Sequence, residues 1–279
     1  MDSKKIVRND RRTPDQLRPV SFSRGIYEYA AGSLLFEMGN TKVLCAVSLQ
    51  NGVPPFLRGK GAGWLTAEYA LLPTSTMTRT QRESSSAGKN GRSVEIARFI
   101  GRCFRSIVDL STIGERTITI DCDVLQADGG TRTAAITGSF LALEMAQEKW
   151  LRSRLINKNI INESIAAVSV GVVHENVLLD LNYEEDSAAT ADFNFVITET
   201  DKIVEMQGGA ESSPLSWDTF EQVRTMACHG AQQLFTLYPS FAGSSRGYSK
   251  DKSEDKKQRE AQGERAPMFS LKNRQQSSL

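Results

Sequence analysis

The run ADGGTRTA at 127–134 joins an apolar stretch ending in VLQ to a segment of helical periodicity. Its two glycines let the backbone pass close to a ligand. Gly130, Thr131, Arg132 and the free amides of a first helical turn converge on one spot. That spot suits an anion, because the helix dipole supplies positive potential and Arg132 a planar fork matched to phosphate oxygens. An ordinary strand-to-helix turn capped by threonine would use the same residues. A second glycine pair, in GKNGRSVEIARFIGR at 88–102, precedes another helix start, with Arg92 in or near the first turn. An arginine there opposes the helix macrodipole, and a bound anion would account for it. In the third run, LLDLNYEEDSAATADFN at 178–194, Asp180 ends an apolar strand and Asp186 follows six residues later. The intervening turn could bring the two carboxylates together, to hold Mg²⁺ or to act as general acid. Acidic turns after strands are also common without such a role. Glu184, Glu185 and Asp192 are weaker candidates for the same work.

Other sources of catalytic power are scarce. His174 and His229 are the two histidines, in no H-x-E or H-E-x-x-H context, and there is neither a G-x-S-x-G elbow nor a G-x-x-x-x-G-K-[ST] loop. Triad hydrolysis and P-loop nucleotide chemistry are therefore disfavoured. An anion site beside an acidic centre implies a nucleophile from outside the chain, and inorganic phosphate is the natural choice.

These residues need a scaffold. Residues 26–73 read as strands and turns, IYEYAAGSLLFEMG, TKVLCAVSLQ and GWLTAEYALLP, in a meander-like opening. After a polar loop at 74–91, Ile96, Phe99, Ile100, Cys103, Phe104, Ile107 and Val108 follow helical spacing. RTITIDCDVL at 116–125 alternates as a half-buried strand does, and a helix follows over about 133–152. Strands near 166–174, 177–182, 193–198 and 203–206, then a helix over about 216–237, partly repeat the pattern. The expectation is an α+β fold of two related strand–helix halves sharing one core over 1–240. Residues 241–279 are rich in Ser, Gln, Lys and Glu, and are expected to be a disordered charged tail.

With 34 Lys and Arg against 33 Asp and Glu the net charge of +1 is uninformative, but the charges are segregated. Arginines cluster at 8–18 (Arg8, Arg11, Arg12, Arg18), at Arg79 and Arg82, and at 92–105, while acids gather over 175–201. A phosphate-rich ligand between a basic wall and a carboxylate centre fits that pattern, as does a solvated charged face. Cys45, Cys103, Cys122 and Cys228 form no C-x-x-C pair and read as buried thiols of a reducing compartment. With no apolar leader at the start and no run of about 18 apolar residues, the expected setting is the cytoplasm, without membrane contact.

The three runs, with RNDRRTPDQLRPV, GSLLFEMGNTKVLC, GWLTAEYALLP and AVSVGVV in the same order and spacing, resemble the ribonuclease PH family over residues 6–238. The resemblance implies the ribosomal protein S5 domain 2-like fold and a homohexamer built as a trimer of dimers. It implies phosphorolytic 3′→5′ trimming of RNA, tRNA 3′ ends above all, with release of nucleoside diphosphates. The family's phosphate-binding residues fall on Arg92, Gly130, Thr131 and Arg132, and its essential aspartates on Asp180 and Asp186, as catalytic groups or Mg²⁺ ligands. Arg79 and Arg82, in the polar loop, are expected to meet RNA phosphates, or else to pair at a subunit interface. The chain departs from the family at Arg11, where glycine is usual, at Asn182, where an acid is usual, and in QGGAES at 207–212, an altered loop around Gly209 and Ser212. A non-catalytic, RNA-threading ring subunit is the competing reading.

Overall fold

The computed structural model describes residues 8–82 and 91–239. The tail expected over 241–279 lies outside the described residues, as do the residues 83–90 that lead into the first long helix.

Strands β1 (Val20–Arg24), β2 (Gly32–Met38) and β3 (Thr41–Asn51) form an antiparallel meander. The expected continuation into β4 (Trp64–Leu71) does not occur: β5 (Arg116–Gln126) pairs with β3 antiparallel and with β4 parallel, so the sheet order is β1-β2-β3-β5-β4. Parallel neighbours need a long crossover, and helix α1 (Gly91–Ile107) supplies it. On α1 the spaced apolar residues Ile96, Phe99, Ile100, Cys103, Phe104 and Ile107 are buried. On β5 the residues Ile118, Ile120, Cys122 and Val124 are buried, while Thr117, Thr119, Asp121 and Asp123 face the other side.

Helix α2 (Thr131–Arg152) runs through the middle of the fold, packing on β2 and β3 of the first sheet and on β6 (Ile165–Val173) of the second. This explains why it lacks a polar stripe over its first three turns: Ala134, Ala135, Ile136, Phe140, Leu141, Ala142 and Leu143 are all buried. The second sheet has the order β7-β6-β8-β9, with β7 (Asn176–Leu179), β8 (Ala191–Thr198) and β9 (Ile203–Ala210), all antiparallel. Helix α4 (Trp217–Phe235) covers it, its Val223, Ala227, Ala231 and Leu234 packing on Val168, Val170 and Leu179. Between β7 and β8 stands a short helix, α3 (Tyr183–Ser187), where a turn was expected. All four cysteines are free thiols, three of them buried. Among the described residues no helix is long and apolar enough to cross a membrane.

Candidate active site

The loop 127–130 sits between β5 and α2, where the two sheets meet. Its carbonyls are turned inward: Arg18 donates to the Asp128 carbonyl through Nη1, and Thr41 Oγ1 donates to the Gly129 carbonyl at 2.6 Å. The Asp128 side chain is held from both sides, by Asn40 Nδ2 at 3.1 Å and by the Tyr183 amide at 3.2 Å. Gly129 and Gly130 have φ of 72° and 63°, in the left-handed region. A Cβ on Gly129 would lie 2.4 Å from the Leu181 carbonyl oxygen, so no other residue fits there. Gly130 is the N-cap of α2, and no side chain caps the helix. The amides of Thr131, Arg132 and Thr133 therefore lack intrahelical acceptors, and no acid stands in this first turn.

This helix end opens on a cleft of about 1130 Å³ whose wall includes Thr76, Arg92, Gly130, Arg132, Asp186 and Asp192. The Tyr69 hydroxyl, buried beside it, donates to Thr131 Oγ1 at 2.9 Å. Burial pushes that phenol up to about 12, so it remains a donor at neutral pH. Arg132 Nη1 donates to Gln207 on β9 at 3.0 Å and lies 3.7 Å from Glu95 on α1. Arg92, one residue into α1, is close enough to act electrically on both Tyr69 and Asp186. The four residues singled out for phosphate thus share one wall, drawn from α1 and the β5–α2 junction.

Of the carboxylates that line the cleft, Asp186 and Asp192 are the two whose pKa is raised. Asp186, on α3, is half-buried, and burial raises its pKa against the pull of Arg92, Arg132 and Arg18. Asp192, on β8, is pushed up to about 6 by burial and then by the charge of Asp186. Asn194 Nδ2 donates to it at 3.3 Å. The pair of raised carboxylates in the cleft is Asp186 with Asp192, and the sequence reading ranked Asp192 lower. Its signal was the i, i+2 pattern of Asp192 and Asn194, both on the same side of a strand.

Asp180, expected to act with Asp186, is not among the residues that line the cleft. Asp180 follows β7 at φ 53° and is fully buried beneath Gly130. Arg18 donates to Oδ1 at 2.6 Å through Nη2, and to Oδ2 through its amide at 2.8 Å and its Nε at 2.9 Å. Arg12 Nη1 adds a contact at 3.4 Å. Both oxygens of Asp180 thus accept from guanidinium groups. Of the arginines clustered at 8–18, Arg8 forms a bidentate pair with Glu185 at 2.7 Å, and Arg8, Arg12 and Arg18 are all buried. These arginines fasten the N-terminal segment to α3 and to the loop 127–130. Arg102 pairs with Glu205, and Arg105 donates to the Leu65 carbonyl and stacks on Trp64 at 4.7 Å. Arg79 and Arg82 are exposed, on the segment that forms one rim of the cleft.

The three departures have structural counterparts. Arg11 holds a φ of 65°, which glycine would adopt without cost. Asn182 caps α3 in a capping box with Glu185, a task amide oxygens do as well as carboxylates. QGGA at 207–210 is strand rather than loop, with Gly209 opposite Asp192. Gly208 passes so close to β8 that a Cβ would lie 2.1 Å from the Asp192 carbonyl oxygen.

The model of the 3′ exoribonuclease family, domain 1, matches residues 16–148, and that of domain 2 matches residues 163–230. Ribonuclease PH of Tropheryma whipplei is 51% identical over 229 residues, covering 82% of this chain and 93% of that protein. Among solved structures, rice Rrp46 is similar with a TM-score of 0.67 at 19% identity, covering 82% of this chain and 97% of that one. A chain of the Archaeoglobus fulgidus exosome with RNA bound to the active site has a TM-score of 0.69 at 23% identity, covering 83% and 92%. The fold is thus that of ribonuclease PH-like subunits, and the sequence likeness carries phosphate-dependent 3′→5′ exoribonuclease and nucleotidyltransferase activity. On two matching domains and a half-identical relative, the chain belongs to the 3′ exoribonuclease family.

Proposed function

We propose that inorganic phosphate binds at the N-terminus of α2, held by the Thr131 and Arg132 amides, Thr131 Oγ1 and the guanidinium groups of Arg92 and Arg132, and attacks the last phosphodiester of an RNA. The bond from phosphorus to the 3′-oxygen of the penultimate nucleotide breaks, giving a nucleoside 5′-diphosphate and an RNA shorter by one. Asp192 hands a proton to the leaving 3′-oxygen, the role its pKa of about 6 suits near neutral pH. The arginines and helix amides stabilise charge gathering on the phosphoryl oxygens. Because one phosphoric linkage replaces another of similar energy, the reaction runs in both directions.

A half-buried carboxylate pair of raised pKa beside phosphate oxygens is a fitting place for Mg²⁺, which takes one or two carboxylates together with substrate phosphates. Asp186 would hold it, and the ion would supply positive charge where the phosphoryl oxygens gather negative charge. Asp180 acts as a positioning residue, through Arg18 and the carbonyls of the loop beneath the phosphate site.

Substrates in this reading are RNA 3′ ends, tRNA precursors foremost, in the cytoplasm. Residues 1–240 form the phosphorolytic unit, working in a hexameric ring of three dimers, with 241–279 a charged tail. Arg79 and Arg82 hold the RNA backbone away from the reacting end. The observation that carries the proposal is one cleft holding an uncapped helix N-terminus, two arginines and a raised carboxylate pair. It is tested by diphosphate release from a 3′-tailed RNA with and without inorganic phosphate. Diphosphate appearing only with phosphate is the expected result. Monophosphate release at equal rate without phosphate would overturn it, and binding without turnover in either buffer would favour a non-catalytic subunit.

A further inference from the structure

Among the described residues that line the cleft, Leu71 and Met77 included, Tyr183 is the one aromatic. It is also 53% exposed, an unusual state for a large ring on an otherwise anchored element. The anchoring is thorough. The Tyr183 amide donates to Asp128 of the phosphate loop at 3.2 Å, and Ser187 Oγ donates to the Tyr183 carbonyl at 2.7 Å. The capping box of Asn182 and Glu185 closes the same turn, and Arg8 grips Glu185 with two bonds. Tyr183 is thus a ring with an open face on a rigid turn, three residues before Asp186 and tied to the loop that begins at Asp128. None of the described aromatic rings stacks on it.

We infer that Tyr183 is the stacking platform for a base at the RNA 3′ end, and this rests on the phosphorolytic reading above. An enzyme that removes any nucleotide must grip the end of its substrate without reading base edges. A ring face does this, because every base has a π-face to offer. No other described residue that lines the cleft carries an aromatic ring, and its arginines act on phosphate. Tyr183 therefore binds RNA and takes no part in holding inorganic phosphate.

The test compares Tyr183→Ala, Tyr183→Leu and Tyr183→Phe in full-length protein, reading KM for RNA and KM for phosphate separately. Wild-type diphosphate release that depends on phosphate is required first, and its failure would strike the underlying reading rather than this inference. Loss of one stacked base corresponds to roughly tenfold to a hundredfold weaker RNA binding. Tyr183→Ala should raise KM for RNA by that factor and leave KM for phosphate at the wild-type value. Tyr183→Phe should restore RNA binding, and Tyr183→Leu, apolar but without a π-face, should not. An RNA ending in 2-aminopurine should be quenched by the wild type and by Tyr183→Phe, and not by Tyr183→Ala. An alanine variant with wild-type KM for RNA, a leucine variant as good as phenylalanine, or a rise confined to the phosphate KM would each overturn the assignment.

Discussion

Replacing Asp180 and Asp186 one at a time with asparagine should produce opposite phenotypes, although the two lie on the same short segment. Asp180 accepts three hydrogen bonds of 2.6–2.9 Å from Arg18 and a weaker one from Arg12, all out of contact with solvent. Asparagine offers one oxygen and turns an amide group toward a guanidinium, leaving buried positive charge uncompensated. Breaking a buried pair in this way costs about 3–5 kcal/mol. For a chain of this size that is a fall in Tm of roughly 6–20 °C. Asp186 is the reverse case. Its folded pKa is raised, so the folded state holds its proton more tightly than the unfolded chain, and the stability this brings at low pH is lost as pH rises through the folded value. Asp186→Asn removes that loss, so stability near pH 7 should be equal to wild type or higher, while turnover falls about 10²-fold or more. Urea unfolding followed by circular dichroism, paired with diphosphate release, reads both quantities. Wild-type stability with abolished turnover in Asp180→Asn would refute the separation of roles, as would unfolding of Asp186→Asn.

Burial and the charge of Asp186 push Asp192 up to about 6, so its proton-donating form is depleted as pH rises past that value, and the alkaline limb of kcat/KM should carry an apparent pKa near it. Asp192→Asn should abolish the limb and lower kcat by roughly 10²–10⁴-fold, and an unchanged pH–rate profile would place the donor elsewhere. Arg132→Ala and Arg92→Ala should each raise the phosphate requirement and cut turnover by about 10²-fold, with normal phosphate dependence in both variants counting against this wall of the cleft. Arg11→Gly should stabilise the fold by roughly 0.5–1 kcal/mol by relieving a left-handed backbone, visible as a higher urea midpoint. Changing Arg79 and Arg82 together to Ala should weaken a tRNA precursor more than a short oligonucleotide, and should flatten the salt dependence. Equal loss on both substrates would assign these arginines to something other than RNA capture.

Much of the fold was legible because its elements are patterned with the period their surroundings demand. The alternation of Ile118, Ile120, Cys122 and Val124 marks β5, and the spacing from Ile96 to Ile107 marks α1, since each buries one face only. The start of α2 was readable from chemistry, two glycines before a threonine and an arginine. The position of β4 was not: neighbours in sequence usually pair, and only the crossover through α1 sends β4 to the far edge of the sheet.

The sequence by itself determined the residue types that could bind phosphate, their placement at two helix starts, and the family. Those follow from local order along the chain, which the backbone preserves. Which carboxylate faces the cleft was decided by tertiary structure alone. Asp180 and Asp186 are six positions apart and equally acidic as text, but the first meets Arg18 and Arg12, from over 160 residues away, and the second does not. A pairing of charge across such a separation leaves no periodic trace. Burial is a property of the assembled core, and it is burial that raises Asp192 to about 6 and commits Arg8, Arg12 and Arg18 to holding the site together.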